Sequence, residues 1–301
     1  MTVSDGQRVK RELLLRSLFP TMPAAAHVRF IELLDDLELA PGQFAFRTGD
    51  PPDRFLFLTE GRVALETDGL QSIEFSGFAV VGVVDAVLDR PRLRACRALE
   101  ASKALVIRSA DWFDLLEDNA EIARAAIKNF ATQLHHLWQE LAARLPRHSE
   151  PPPPIVPTLL ETYDKILALR QAPFLRKAGM QAIASLAAIA ETKVLQAGQS
   201  LFEIGNDGED FFIVATGVIE LVHGSGLRFT HDAGDVVGGP GAFCNALPSY
   251  AALATAPSLV LRIPQQEFYD QAEEHGRLLR GTLAFLASEL EALQTASSTQ
   301  G

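Results

Sequence analysis

Two glycines five residues apart, Gly234 and Gly239, lie in Gly234-Asp235-Val236-Val237-Gly238-Gly239-Pro240-Gly241. Such spacing lets backbone N–H groups cradle a phosphate, provided that a Lys and then a Ser or Thr follow. Pro240 stands where the Lys is needed, so a nucleotide-hydrolysing loop is not expected. His223-Gly224-Ser225-Gly226 sets a hydroxyl beside an imidazole. It lacks the Gly-x-Ser-x-Gly elbow of an acyl-transfer nucleophile and reads as a hairpin turn in the place of Asp68-Gly69. His135 and His136 are adjacent, so on a helix they diverge by ~100° and cannot grip one metal ion. His231-Asp232 has no further ligands nearby, and Asp35-Asp36 reads as a solvated turn before a strand. Cys96 and Cys244 read as free thiols in a reducing compartment. No nucleophile–base pair and no metal set emerges, so the chain is not expected to be an enzyme.

The elements that hold these residues are those of a two-domain protein. A chain of 301 residues is too long for one small core. Its 48% apolar and 22% charged residues are ordinary globular composition. Lys and Arg number 27 against 38 Asp and Glu, a net charge of −11. That balance repels a phosphate backbone, so no nucleic-acid partner is expected. No apolar run approaches the ~18 residues of a membrane span, and the N-terminus has no long apolar signal region. A cytoplasmic location is expected.

The chain repeats itself. Pro41-Gly42-Gln43 matches Ala197-Gly198-Gln199, Gly49-Asp50 matches Gly205-Asn206, and Gly61-Arg62-Val63 matches Gly217-Val218-Ile219. Each pair is offset by 156 (198 − 42). Further on, Gly77 with Gly234, Gly82 with Gly239 and Pro91 with Pro248 are offset by 157 (239 − 82), which implies one residue gained between. The boundary is placed at the proline run Pro151 to Pro154, a stiff spacer, giving domains 1–150 and 151–301.

Each copy opens with helical periodicity, such as Leu159, Tyr163, Ile166 and Leu167. Short strands punctuated by Gly, Pro and Asp follow, for example Arg54 to Leu58 and Asp210 to Val214, the signature of a sandwich or barrel. A long helix closes each copy. Ile127, Phe130, Leu134, Leu137 and Leu141 form one a/d stripe, and Leu279, Leu283, Leu286, Leu290 and Leu293 another. Such stripes want a facing helix, within the chain or in a homodimer.

This layout resembles the cyclic-nucleotide-binding domain, the family of the catabolite activator protein and of the regulatory subunits of cAMP-dependent kinase. The resemblance rests on Leu39-Ala40-Pro41-Gly42-Gln43 through Phe46, Gly49-Asp50, and Phe55-Leu56-Phe57-Leu58-Thr59-Glu60-Gly61. In the second copy it rests on Ala197-Gly198-Gln199-Ser200-Leu201-Phe202, Gly205, and Phe211 through Gly217. It implies an α+β fold of two β-roll domains, jelly-roll-like, each with N-terminal helices and a long C-terminal helix. It also implies a phosphate cassette: a short helix offering N–H groups, a Glu after a Gly for the ribose, and an Arg after a Pro for the phosphate.

The first copy reads Gly82-Val83-Val84-Asp85-Ala86 and Pro91-Arg92-Leu93-Arg94-Ala95, with Val83 in place of the Glu and Ala95 in place of the Thr. The second reads Gly239-Pro240-Gly241 and Pro248-Ser249-Tyr250-Ala251-Ala252, with Pro240 for the Glu and Ser249 for the Arg. Candidate ligand positions are therefore Gly82, Val83, Val84, Arg92, Arg94 and Ala95, and Gly239, Ser249 and Ala251. Asp85 is a further candidate for the sugar. With the cassettes degenerate, the expected function is regulation or scaffolding through an unidentified protein partner, with no cofactor. The alternative is a sensor that binds cAMP, cGMP or another small anion at Arg92. Because the family's DNA-reading helices have no room in 294–301, DNA binding is not expected.

Overall fold

The computed structural model describes residues 11, 16, 24–67, 72–141, 160–206, 210–224 and 226–298. The proline run and the Asp68-Gly69 turn lie outside the described residues. The first domain runs α1 (Ala24–Glu32), β1 (Asp35–Leu39), β2 (Phe44–Phe46), β3 (Arg54–Glu60), β4 (Arg62–Glu66), β5 (Ile73–Ser76), β6 (Ala79–Val81), α2 (Val83–Leu88), β7 (Ala95–Ala98), β8 (Ser102–Arg108), α3 (Ser109–Asp118) and α4 (Ala120–Leu141). The second runs α5 (Thr162–Gln171), a short 3-10 turn (Pro173–Leu175), α6 (Met180–Ile189), β9 (Glu191–Leu195), β10 (Ser200–Phe202), β11 (Asp210–Thr216), β12 (Ile219–His223), β13 (Arg228–His231), β14 (Val236–Val237), α7 (Gly239–Cys244), β15 (Tyr250–Ala254), β16 (Ser258–Pro264), α8 (Gln265–Glu274) and α9 (Gly276–Ser298). The chain divides into two compact units between Ala126 and Ile127, inside α4 and earlier than the proline run.

Each domain is a β-roll of two four-stranded antiparallel sheets. The orders are β1-β8-β3-β6 and β2-β7-β4-β5, then β9-β16-β11-β14 and β10-β15-β12-β13. Asp35 and Asp36 belong to β1 rather than to a turn before it. The central strands β3 and β11 are buried on both faces because alternate side chains enter two cores. Leu56 and Leu58 point into the roll. Phe55 and Phe57 face the helices, where the Phe55 ring meets Trp112 edge-on at 5.7 Å and Phe57 meets Phe30 at 5.8 Å. In the second domain Phe212 and Val214 enter the roll. Phe211 packs outward on Phe174 and Phe268, at 5.8 and 5.3 Å.

The strand registers correct the repeat arithmetic. Leu56 pairs with Val81 as Phe212 pairs with Val237, an offset of 156 (237 − 81). Leu65 pairs with Cys96 as Leu221 pairs with Ala252. Gly82 (φ 82°) precedes α2 as Gly238 (φ 86°) precedes α7, and the helices end at Asp89 (φ 50°) and Asn245 (φ 56°). The offset stays at 156 throughout and no residue is gained. Two adjacent glycines, Gly238 and Gly239, misled the letter-by-letter match; the backbone uses the first, where the positive φ is needed.

Two further expectations change. The single long helix expected to close the first copy is preceded by a second, and the two, α3 and α4, are parted at the extended Asn119, whose side-chain amide donates to the Leu115 carbonyl. The apolar stripe of α9 (Leu279, Leu283, Leu286, Leu290, Leu293) is already buried within the single chain. A close approach explains part of this: a Cβ at Gly281 would lie 2.5 Å from the Phe174 carbonyl oxygen. Ile127, Phe130 and Leu134 of α4 are buried likewise. Those buried positions are covered within the single chain. Helix α9 also runs to Ser298, beyond the expected end near Leu293.

Candidate functional site

Position 92 is fixed by main-chain bonds before its side chain is considered. The Arg92 N–H donates to the Asp50 carbonyl and the Gly49 N–H donates to the Arg92 carbonyl, both at 2.9 Å. The side chain then enters the roll and is only 1% exposed. Its guanidinium lies over the Phe46 ring, Cζ 4.4 Å from the centroid. Nη1 donates to the Gly82 carbonyl and Nη2 to the Arg54 carbonyl. Nε has no partner. Burial pushes the Arg92 pKa down, opposed by the charges of Asp85 and Asp53. An arginine nevertheless remains cationic. The Arg92 guanidinium is thus held by the domain's own carbonyls.

The other first-domain candidates lie around it. Gly82 is the left-handed residue before α2, and a Cβ there would meet Phe46 at 2.9 Å and Arg92 Nη1 at 3.0 Å. Val83 and Val84 are half-buried on α2, and Ala95 pairs with Glu66 across the sheet. Asp85, the further candidate for the sugar, accepts from Arg90 Nε at 3.0 Å in an ion pair. Arg94 is half-buried.

In the second domain the equivalent main-chain bond runs from the Gly205 N–H to the carbonyl of Pro248, at 3.0 Å. The counterpart of Arg92 is therefore Pro248, and Ser249 is corrected to the counterpart of Leu93. Likewise the counterpart of Val83 is Gly239, and Pro240 occupies the first turn of α7, where its missing N–H has no intrahelical partner to lose. Ser249 Oγ is buried with no partner, while its carbonyl accepts from the Gly224 N–H. Ala251 pairs with Val222 in the sheet.

Where Arg92 fills the first roll, the short Pro248 leaves a cavity of about 490 Å³ in the second. Its walls include Phe202, Gly238, Asp210 and Pro248, the counterparts of Phe46, Gly82, Arg54 and Arg92. An aromatic row backs it. Phe202 stacks on Phe212 at 5.9 Å and meets Tyr250 at 5.7 Å. Burial pushes the Tyr250 hydroxyl up to about 12, so it stays protonated. The Asp210 carboxylate accepts from Arg262 Nε at 2.6 Å, and Arg262 Nη1 donates to Glu191 at 2.8 Å. These carboxylates raise the Arg262 pKa. Lys193 Nζ lies 5.4 Å from the Phe212 centroid. His135, from the part of α4 that belongs to the second unit, completes the rim, its pKa lowered by burial and then by His136. Of these residues Glu191, Lys193 and Arg262 fell outside the segments the sequence had marked, and the misplaced register gave Pro248 the wrong counterpart.

Among the described residues no group of three His, Cys, Asp or Glu could hold a metal ion, and no helix is long and apolar enough to cross a membrane. A sequence profile described as the cyclic nucleotide-binding domain matches residues 36–119 and again 192–275, the same 156-residue offset (192 − 36). Curated protein sequences return no match. Similar solved structures include the regulatory domain of Toxoplasma gondii PKA with cAMP, at 15% identity and TM-score 0.37, covering 96% of this chain and 99% of that one. Another is the regulatory subunit of a cAMP-independent protein kinase A from Trypanosoma cruzi bound to guanosine, at 14% and 0.37, covering 90% and 87%. A third is the sensor domain of the transcriptional regulator DNR from Pseudomonas aeruginosa, at 21% and 0.38, covering 42% and 95%.

Proposed function

The chain belongs to the cyclic nucleotide-binding domain family, and from that premise we propose that it is a regulatory or scaffold protein that does not bind cyclic nucleotides in the ordinary way. The observation that carries this reading is the placement of Arg92. A cyclic phosphate arriving at the first domain finds the guanidinium already hydrogen-bonded to the Gly82 and Arg54 carbonyls and stacked on Phe46. Recruiting it means breaking two charge-assisted bonds, each worth ~1.5–3 kcal/mol, to make equivalent ones. In the second domain Pro248 offers no charge and no N–H. No carboxylate follows Gly82 or Gly238 to receive a ribose hydroxyl: Val83 and Gly239 stand there. The output is then contact with a partner protein rather than a ligand-driven movement.

Isothermal titration of the full chain with cAMP and with cGMP tests this. No heat is expected up to millimolar ligand. Saturable heat that disappears in Arg92→Ala would instead establish the first domain as a small-anion sensor.

A further inference from the structure

The two domains place equivalent positions around one space, filled in the first and open in the second. In the first, the occupant is a guanidinium: it lies on Phe46 and donates to the carbonyls of residues 82 and 54. In the second, Phe202, Gly238 and Asp210 hold the same three positions, and Pro248 supplies no occupant. The Gly238 carbonyl already accepts from the Ala242 N–H at 2.9 Å and offers its remaining lone pair; the second acceptor is the Asp210 carbonyl. A Cβ built on Gly238 lies 3.1 Å from that carbonyl oxygen. A Cβ built on Gly82 instead meets Phe46 at 2.9 Å and Arg92 Nη1 at 3.0 Å, so the equivalent residues stand closer together around the filled site than around the open one.

From this internal comparison we infer that the second domain is a receptor for a guanidinium group carried by another molecule. The group lies on Phe202 and donates to the carbonyls of Gly238 and Asp210, as Arg92 does in the first domain. At about 490 Å³ the cavity also has room for the body that carries the group, and it falls in the ~300–1,000 Å³ range of ligand sites. The Phe212 and Tyr250 rings back that space. A planar cation on an aromatic face with two carbonyl acceptors is a chemically complete site for such a fork. The Asp210 carboxylate adds negative charge at the wall, although Arg262 already engages it. Lys193 opposes a second cation, although its Nζ lies over the Phe212 ring, 5.4 Å from the centroid, and not over Phe202. The inference goes beyond the proposed function, since it concerns a cation rather than a cyclic phosphate.

Titration calorimetry of the full chain against agmatine, an arginine-containing tetrapeptide amide and n-butylamine tests it. One site is expected for a guanidinium compound, with n-butylamine at least about tenfold weaker because it lacks the fork. Tight agmatine with weak peptide identifies a free small molecule; the reverse identifies an arginine presented by a protein. Pro248→Arg refills the cradle from within and is expected to weaken guanidinium binding at least about tenfold without lowering the thermal midpoint. Phe202→Leu, which removes the ring but keeps an apolar side chain, is expected to weaken it severalfold, and Lys193→Met to strengthen it. Absence of heat with both guanidinium compounds at millimolar concentration overturns the inference. So does equal binding of n-butylamine, or undiminished binding in both Pro248→Arg and Phe202→Leu. Heat with cAMP in a parallel titration counts against the proposed function and leaves this inference untouched.

Discussion

The guanidinium of Arg92 lies on the ring of Phe46, its Cζ 4.4 Å from the centroid, inside a roll where 1% of the arginine remains exposed. Buried charge is expensive unless it is paired and hydrogen-bonded. Here two carbonyls and a π-face replace the carboxylate partner, while Asp85 and Asp53 favour the cation from further away. The arrangement makes Arg92 a structural residue of the first roll.

Arg92→Ala should therefore lower the stability of the first domain. Two charge-assisted hydrogen bonds and a cation–π contact are lost, partly offset by relief of the unpartnered Nε, for a net loss of about 2–4 kcal/mol. Arg92→Met fills the same space without a buried charge and should lose less than about 2 kcal/mol. Urea unfolding of the full chain measures both. Equal stability of wild type and Arg92→Ala would show that the side chain is not a structural pin.

Gly82 and Gly42 separate backbone strain from crowding. Both have φ of 82°, so alanine at either carries the ~1–2 kcal/mol strain of a left-handed residue. A Cβ at Gly42 meets nothing within 4 Å, whereas one at Gly82 presses on Phe46 and Arg92. Gly82→Ala should cost at least about 1 kcal/mol more than Gly42→Ala, the usual scale of overpacking. If the two variants melt together, the Arg92–Phe46 packing is looser than the geometry implies.

The roll architecture was legible because Phe55 to Phe57 and Phe211 to Ile213 are strand-like apolar runs bounded by glycine turns, and the turns recur at a fixed offset. The occupant of the pocket was not legible. Whether Arg92 points at a ligand or at the Gly82 carbonyl is a choice of rotamer, which residue spacing does not encode. The counterpart of Arg92 was misread because Pro91 and Pro248 match by letter, although the sheet register aligns Pro248 with Arg92. The α9 stripe showed the right periodicity, but periodicity alone does not say which surface covers it.

Ser102 and Ser258 went unmarked in the sequence, and yet each closes the same joint. Ser102 Oγ accepts from the Arg62 N–H at 3.2 Å, and Ser258 Oγ accepts from the Val218 N–H at 3.0 Å. Both are buried, and in each domain a glycine, Gly61 or Gly217, makes room for them. Alanine at either position strands a buried donor and should cost about 1–3 kcal/mol. The two losses should add in the double variant, because the residues lie in separate units. Chemical denaturation of the two single variants and the double reads this directly; a loss confined to one domain contradicts the shared role.

The second domain should weaken in acid through His231. Burial lowers its pKa more than Asp235 and then Asp232 raise it, and Nδ1 is buried without a partner. The unfolded chain takes up a proton near the ordinary value of about 6.5, and the folded domain resists it. The unfolded state thus binds more protons below about pH 6.5, so stability falls as pH drops from there toward the lower folded value. His135 shifts in the same direction. Glu289 opposes both, because burial and Asp235 raise its pKa and let the folded state hold its proton more readily. The sign for His231 is isolated by His231→Gln. Relative to wild type, this variant should gain up to about 1.4 kcal/mol per pH unit over that window, the limit for one proton. Denaturant midpoints at about pH 7, 6 and 5 provide the comparison, and a wild-type-to-variant difference that stays constant with pH rules out the buried neutral histidine as the cause.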